Sequence, residues 1–229
     1  MDDLEAELVR ARELDVSALA DAIESIGFEC TRCGGCCTAE TPDDATENGD
    51  AVEPHTATVF PDEIRTLQDS EDYDFRDVAR PMPYGLSEGD DGLEGETFEW
   101  ALQTDDCGDC TFYTEREGTG TCTVHEDRPL ICQTYPFSLA LGGTSQPMGG
   151  AVDSAGLVRA HECEGLGREI ARSDAEDLAV TLKERAIREL EEAIAVREQY
   201  RPVDGDGVVV VYDSEGPKRV DGTPWEPQE

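Results

Sequence analysis

The sequence predicts an α+β fold: a small cysteine-rich, metal-centred domain with short strands, an N-terminal helix and a long C-terminal helix. Three observations carry that reading. Eight of the nine cysteines fall in two dense groups, Cys30-x2-Cys33-x2-Cys36-Cys37 and Cys107-x2-Cys110-x11-Cys122-x9-Cys132. A 3.6-residue apolar stripe runs through Asp174 to Gln199 on Leu178, Leu182, Ile187, Leu190 and Ile194. Between these features the apolar stretches are short, alternating and broken by Gly- and acid-rich runs, the pattern of strands and turns. With 229 residues and 38% hydrophobic content, the chain can form one lean core with appendages.

Taken in order, residues 1–27 read as the N-terminal helix. Leu4, Leu8, Leu14, Leu19, Ile23 and Ile26 fall near one face, Asp15 to Ser17 is a possible interruption with Ser17 as a new N-cap, and Gly27 is the stop. The cysteine domain spans 28–167. Within it, 39–51 is an acidic loop, Val52 to Phe60 a strand, and Pro61-Asp62-Glu63-Ile64 a helix start with Pro at N1 and acids in the first turn. Residues 85–96 read as a loop, Thr97 to Leu102 and Thr111 to Thr114 as strands, and Glu115 to Thr121 as a hairpin turn into Cys122. Ser138 to Leu141 and Ala151 to Val158 are two further strands joined by the Gly-rich 142–150. Residues 168–200 hold the C-terminal helix, capped by Ser173 or Asp174. Residues 201–229 hold a short strand, Val208 to Tyr212, and a polar, Pro-rich tail expected to fray.

Charge excludes several functions. Asp and Glu number 54 against 18 Lys and Arg, a formal net charge of −36. Phosphate neutralisation needs basic residues, so nucleic acid is not an expected partner, and neither is an anionic membrane. The acidic start and the shortness of the aliphatic runs predict neither a secretory signal nor a spanning helix, and hence a soluble, cytoplasmic protein. Distributed acidity with only two lysines, Lys183 and Lys218, resembles proteins of salt-accumulating halophiles. Self-repulsion at this charge strains a compact state, and molar salt screens it to a Debye length of about 3 Å. The fold is therefore expected to need molar salt.

Nine cysteines in an intracellular chain call for metal more than for disulfides. A Cys-x2-Cys turn brings two sulfurs to one side of a tight loop, and thiolates ligate Zn²⁺ and iron–sulfur clusters alike. Gly34 and Gly35 let the backbone curl so that amides can face sulfur. The candidate ligands are Cys30, Cys33, Cys36, Cys37, Cys107, Cys110, Cys122 and Cys132, with Cys163 as a ninth. Side chains of neighbours in an extended stretch point apart, so Cys36 and Cys37 are expected to serve different metals or a bridged pair. Two four-thiolate sites, one dinuclear centre, or one cluster with spare thiols all fit the count. Structural disulfides, inert buried thiols and thioredoxin-like chemistry compete less well, the last because no βαβ context surrounds either Cys-x2-Cys. Cys30, Cys33 and Cys36 match the opening of a bacterial ferredoxin run, but its x3-Cys-Pro ending is missing.

These residues resemble a known family. Phe28-Glu29-Cys30-x2-Cys33-Gly34-x-Cys36-Cys37 is similar to the CxxCxxCC signature of the YkgJ-type cysteine-cluster proteins, here in a haloarchaeal-like version. Cys122-Thr123-Val124-His125-Glu126-Asp127-Arg128-Pro129-x2-Cys132-x2-Tyr135-Pro136-Phe137 resembles that family's second block, and Cys163-x-Gly165 its closing cysteine. The resemblance covers about residues 28–167. It implies a zinc- or iron-chelating domain of largely unassigned role, some of whose relatives are linked to flagellin lysine N-methylation.

Other chemistry is sparse. His125 stands in Cys122-x2-His125 and His161 two residues before Cys163, spacings that admit a ligand, although a hydrogen-bonding or surface role is favoured for both. His55 reads as a loop residue. There is no Gly-x-Ser-x-Gly elbow, and 142–150 lacks the ending of a phosphate loop. Arg32 and Arg128 lie close enough in sequence to the cysteines to offset thiolate charge. Tyr135-Pro136-Phe137 reads as a packed strap over the metal region. The leading functional expectation is a zinc- or iron-binding protein, the iron form including an iron–sulfur cluster, whose metal organises the fold. The alternatives are an iron–sulfur or iron-dependent enzyme related to protein-lysine N-methylation, and a metal-handling or adaptor protein with an unknown protein partner. No S-adenosylmethionine-binding strand-loop-helix is evident.

Overall fold

The computed structural model describes residues 3–40, 53–89, 92–145, 150–203 and 207–225. Residues 41–52, and 146–149 of the Gly-rich 142–150, lie outside these residues. The fold is α+β, with helices packed beside several small sheets.

The N-terminal segment forms two helices, α1 (Leu4–Glu13) and α2 (Val16–Ile26). The break falls where anticipated, but Asp15, not Ser17, is the cap: its carboxylate accepts the Ser17 N–H at 2.8 Å. Next come β1 (Thr58–Val59), α3 (Pro61–Glu71), α4 (Phe75–Val78), β2 (Ala79–Pro81), β3 (Leu86–Gly89), β4 (Gly92–Thr97) and β5 (Trp100–Leu102). The stretch read as a loop at 85–96 is therefore a hairpin. Its apolar signal is weak, but β4 gains a tertiary partner. The C-terminal β11 (Val209–Asp213) pairs parallel with β4, Val210 opposite Glu96.

A second hairpin, β6 (Tyr113–Arg116) and β7 (Thr119–Cys122), turns at Glu117-Gly118. A 3-10 turn at His125–Asp127 leads to α5 (Leu130–Thr134). The remaining elements are β8 (Phe137–Leu139), β9 (Ala151–Asp153), β10 (Val158–His161), α6 (Arg172–Gln199), β11 and β12 (Gly216–Lys218). The tail expected to fray instead returns as β12 against β11, so residues to 225 are ordered by pairing. The sheets run β1-β5-β2, β8-β10-β9 and β12-β11-β4-β3. Among the described residues no helix is long and apolar enough to cross a membrane.

Two apolar clusters form the interior. One joins α1, α2, β8, β10 and α6 through Leu8, Leu19, Ile23, Phe137, Leu182 and Leu190. On α6 the buried line is Ala175, Ala179, Leu182, Ala186 and Leu190, while Leu178, Ile187 and Ile194 flank it half-buried. Small alanines let the helix sit close to α1 and α2. Neither Ser173 nor Asp174 caps α6; the cap is Ala171. Arg172 instead pins the first turn, with ion pairs to Asp21, Glu24 and Glu176. The second cluster gathers Ile64, Leu67, Val78, Trp100, Leu102, Phe112, Val124, Ile131 and Cys110. Trp100 is fixed there by its Nε1–H donating to Asp213 at 2.9 Å and by an edge-to-face contact with Phe75.

Candidate metal centre

The first cysteine loop, residues 28–40, is stitched to three distant segments. Glu29 N–H donates to Gly165 O at 3.0 Å and Phe28 bridges Leu166, which brings the segment of Cys30 against that of Cys163. Gly120 N–H donates to Arg32 O at 2.8 Å, setting Cys33 against the β6–β7 hairpin. Cys110 N–H donates to Cys37 O at 2.8 Å, and Ala39 N–H to Asp109 at 2.8 Å. Two glycines permit these approaches. At Gly34 (φ 82°) an added Cβ would lie 2.1 Å from the Tyr113 hydroxyl, and at Gly165 it would lie 2.3 Å from Glu29 O.

The opposite walls are held just as locally. Asp105 organises the knuckle carrying Cys107 and Cys110: its carboxylate accepts the N–H groups of Cys107 and Asp109 at 2.8 and 3.0 Å. Tyr113 pairs with Cys122 across the hairpin. Cys132 lies on α5, whose start is positioned by Glu63. That carboxylate accepts the N–H of Phe60 at 3.0 Å and of Leu130 at 2.8 Å, tying α3 to α5. Burial raises the Glu63 carboxyl above its ordinary range. Sequence reading noted Glu63 only as a first-turn acid, and it missed Asp105, although an Asp two residues before Cys107 is an Asx-turn signal.

The result is one cavity of about 910 Å³ lined by Cys30, Cys33, Cys36, Cys37, Cys110, Cys122, Cys132 and Cys163. Cys107 is exposed and not among the lining residues. All nine cysteines are free thiols. Cys36 and Cys37 do not point apart: their sulfurs are 3.8 Å from each other. The tight turn at Gly34, closed by Cys37 N–H donating to Gly34 O at 2.7 Å, replaces the extended backbone assumed from sequence. That spacing matches the edge of a tetrahedral zinc site, about 3.8 Å for Zn–S bonds of about 2.3 Å.

Burial lifts the thiols within the walls. Cys132 is pushed well above the ordinary thiol range, Cys110 to about 11, and Cys122 and Cys163 upward. The hydrogen bond with Cys37 is the main cause of the rise at Cys36. Backbone amides work the other way: Phe112 and Tyr113 on Cys110, Val124 on Cys122, and Gly165 on Cys163, the last at 3.4 Å. Arg128 lowers both Cys36 and Cys122, as its sequence position suggested.

The donor set fits a soft, thiophilic cation. Thr31 places a buried hydroxyl without a hydrogen-bond partner on the same cavity wall, where it could donate to a thiolate. Among the described residues, however, no three His, Cys, Asp or Glu side chains already converge on one ion position. An ion held by three or more of these thiols would require the walls to draw in.

The histidines divide. His125 lines the cavity with an exposed ring, its Nδ1 3.4 Å from Glu126. His161 is 3% exposed and its Nε2 bonds Ser138 Oγ at 2.9 Å, off the cavity. His55, read as a loop residue, is 6% exposed and lines the cavity, its N–H donating to Gly108 O. Burial first, and the Arg80 charge second, hold its pKa down to about 4. The expected strap is split: Tyr135 lines the cavity and bonds Glu162 O, while Phe137 enters the helical core against Phe28.

Fold and donor set together define a thiol-lined α+β domain. The chain belongs to the CxxCxxCC family, described as "Putative zinc- or iron-chelating domain", whose model matches residues 29–164. No curated protein and no solved structure matches the chain.

Proposed function

We propose that this protein binds zinc or iron through thiolates of the cavity, and that the bound metal organises the cysteine-lined region of the fold. The observation that supports it most is the gathering of eight cysteines onto one cavity, from the first loop, the Cys110 knuckle, β7, α5 and the segment of Cys163. Packing alone has no use for so many thiols on one wall. Backbone amides aimed at Cys110, Cys122 and Cys163 suit thiolates rather than thiols. Bound metal would supply the charge that holds those thiolates together, and because the walls must draw in, binding is coupled to folding.

Elemental analysis with a UV–visible spectrum, on protein purified anaerobically in molar KCl, tests this. Stoichiometric zinc or iron is expected; a metal-free protein that is fully folded overturns it. Colour separates zinc from an iron or iron–sulfur centre. A metal-handling role is a second reading, favoured by the exposure of Cys30, Cys33 and Cys36. It predicts metal that exchanges with a competing chelator within minutes while the helices stay folded.

A further inference from the structure

We propose that tertiary structure divides the cavity into two metal subsites, one formed by Cys30, Cys33 and Cys163, the other by Cys110, Cys122 and Cys132, with the Cys36–Cys37 pair between them completing both. This rests on the metal reading above and specifies its ligands. The grouping differs from that of the sequence, where Cys107 belongs to the second set and Cys163 stands alone.

Three geometric facts carry it. The Glu29–Gly165 hydrogen bond and the Phe28–Leu166 bridge set the segment of Cys163 against the beginning of the first loop, which carries Cys30. The Cys110–Cys37 hydrogen bond sets the end of the same loop against the second wall. There Tyr113 N–H donates to Cys110 O, and Tyr113 pairs with Cys122, so Cys110 and Cys122 lie on adjoining backbone. The loop thus spans the cavity, with Cys36 and Cys37 nearer the second wall and their sulfurs 3.8 Å apart.

Packing divides in the same way. Cys110 belongs to the second apolar cluster, and Cys37, Cys122 and Cys132 pack against it. Phe28 and Leu166, which flank Cys30 and Cys163 along the chain, pack against the first. Eight thiolates are also the number that two four-coordinate sites require. Arg128, which acts on Cys36 and Cys122, offsets charge at the second subsite.

The test is an anaerobic titration of the metal-free 229-residue chain with Co²⁺ in molar KCl, read by thiolate-to-cobalt absorption, then by alkylation and mass spectrometry. Saturation is expected at about two equivalents, with Cys107 the one cysteine alkylated. Cys163→Ser should bind about one equivalent and still protect Cys110, Cys122 and Cys132. Cys132→Ser should bind about one and still protect Cys30, Cys33 and Cys163. A single equivalent protecting all eight thiols overturns the division, as does alkylation of Cys163 in the saturated wild type. That wild-type footprint decides the matter even where a variant fails to fold. A wild type that takes up no cobalt sinks the metal reading itself, a different result from one-equivalent saturation.

Discussion

Around α6 the interior is filled by Leu, Ile, Ala, Val and Phe side chains from five elements, and the buried Arg185–Glu189 ion pair is hydrogen-bonded on both sides. Around the cysteines the interior borders a cavity of about 910 Å³ and is walled by short turns that hold one another by single backbone hydrogen bonds. The first region can close on apolar burial alone, at about 25 cal/mol per Å². The second has an apolar cluster too, but Phe112, Val124 and Ile131 of that cluster border the cavity, and in the proposed reading closure there is completed by the ion that the sulfurs bind.

The sharpest way to break that comparison is chelation. Structural zinc contributes on the order of 10 kcal/mol to small thiolate domains. Removing the metal in molar salt should abolish amide-exchange protection at 28–40 and 105–135 while α6 stays protected. Equal loss in both regions would show that they are one cooperative unit.

The helical region has its own weak point. Arg185 is 2% exposed, donates to Glu189, Thr134, Phe137 O and Ser145 O, and so ties α6 to α5 and β8. Arg185→Ala should cost about 3–5 kcal/mol in denaturant unfolding, because Glu189 is left charged and buried. Arg185→Met with Glu189→Met should recover most of it.

Next in size is the pH response of His55. Its folded pKa is about 4 against an unfolded 6.5, so the unfolded chain takes up the proton first. The stability due to neutral His55 is complete above pH 6.5 and is lost as pH falls toward 4, on the order of 3 kcal/mol in all. Unfolding free energies measured across that window should flatten in His55→Gln. An unchanged slope would remove His55 from the account.

The smallest effect is at Gly34. Gly34→Ala places a Cβ against the Tyr113 hydroxyl at a left-handed φ. The backbone alone should cost about 1–2 kcal/mol. Metal affinity should fall with stability, as measured by competition with a chelator. Stability that falls with affinity unchanged would mean that the turn serves packing only.

Much of this was legible in advance. The stripe on α6, the Pro61 helix start and the β6–β7 hairpin are local patterns, and each formed within a few residues of its expected limits. The β3–β4 hairpin was not legible because β4 takes its further partner, β11, from a remote part of the chain; β12 pairs with the adjacent β11, but Gly216-Pro217-Lys218 carries no strand signal. His55 gave no local sign of burial, because the Gly108 knuckle that covers it comes some fifty residues later.

The sequence by itself determined the acidity, the helix that organises the apolar core and the supply of soft ligands, because composition and short-range periodicity are properties of neighbouring residues. Only the tertiary structure decided which thiols meet. Cys163 joins the first loop and Cys107 stays outside because single backbone hydrogen bonds, Glu29 to Gly165 and Cys110 to Cys37, select the contacts. Spacing along a chain sets what a loop can reach; the partner across the cavity sets what it does reach.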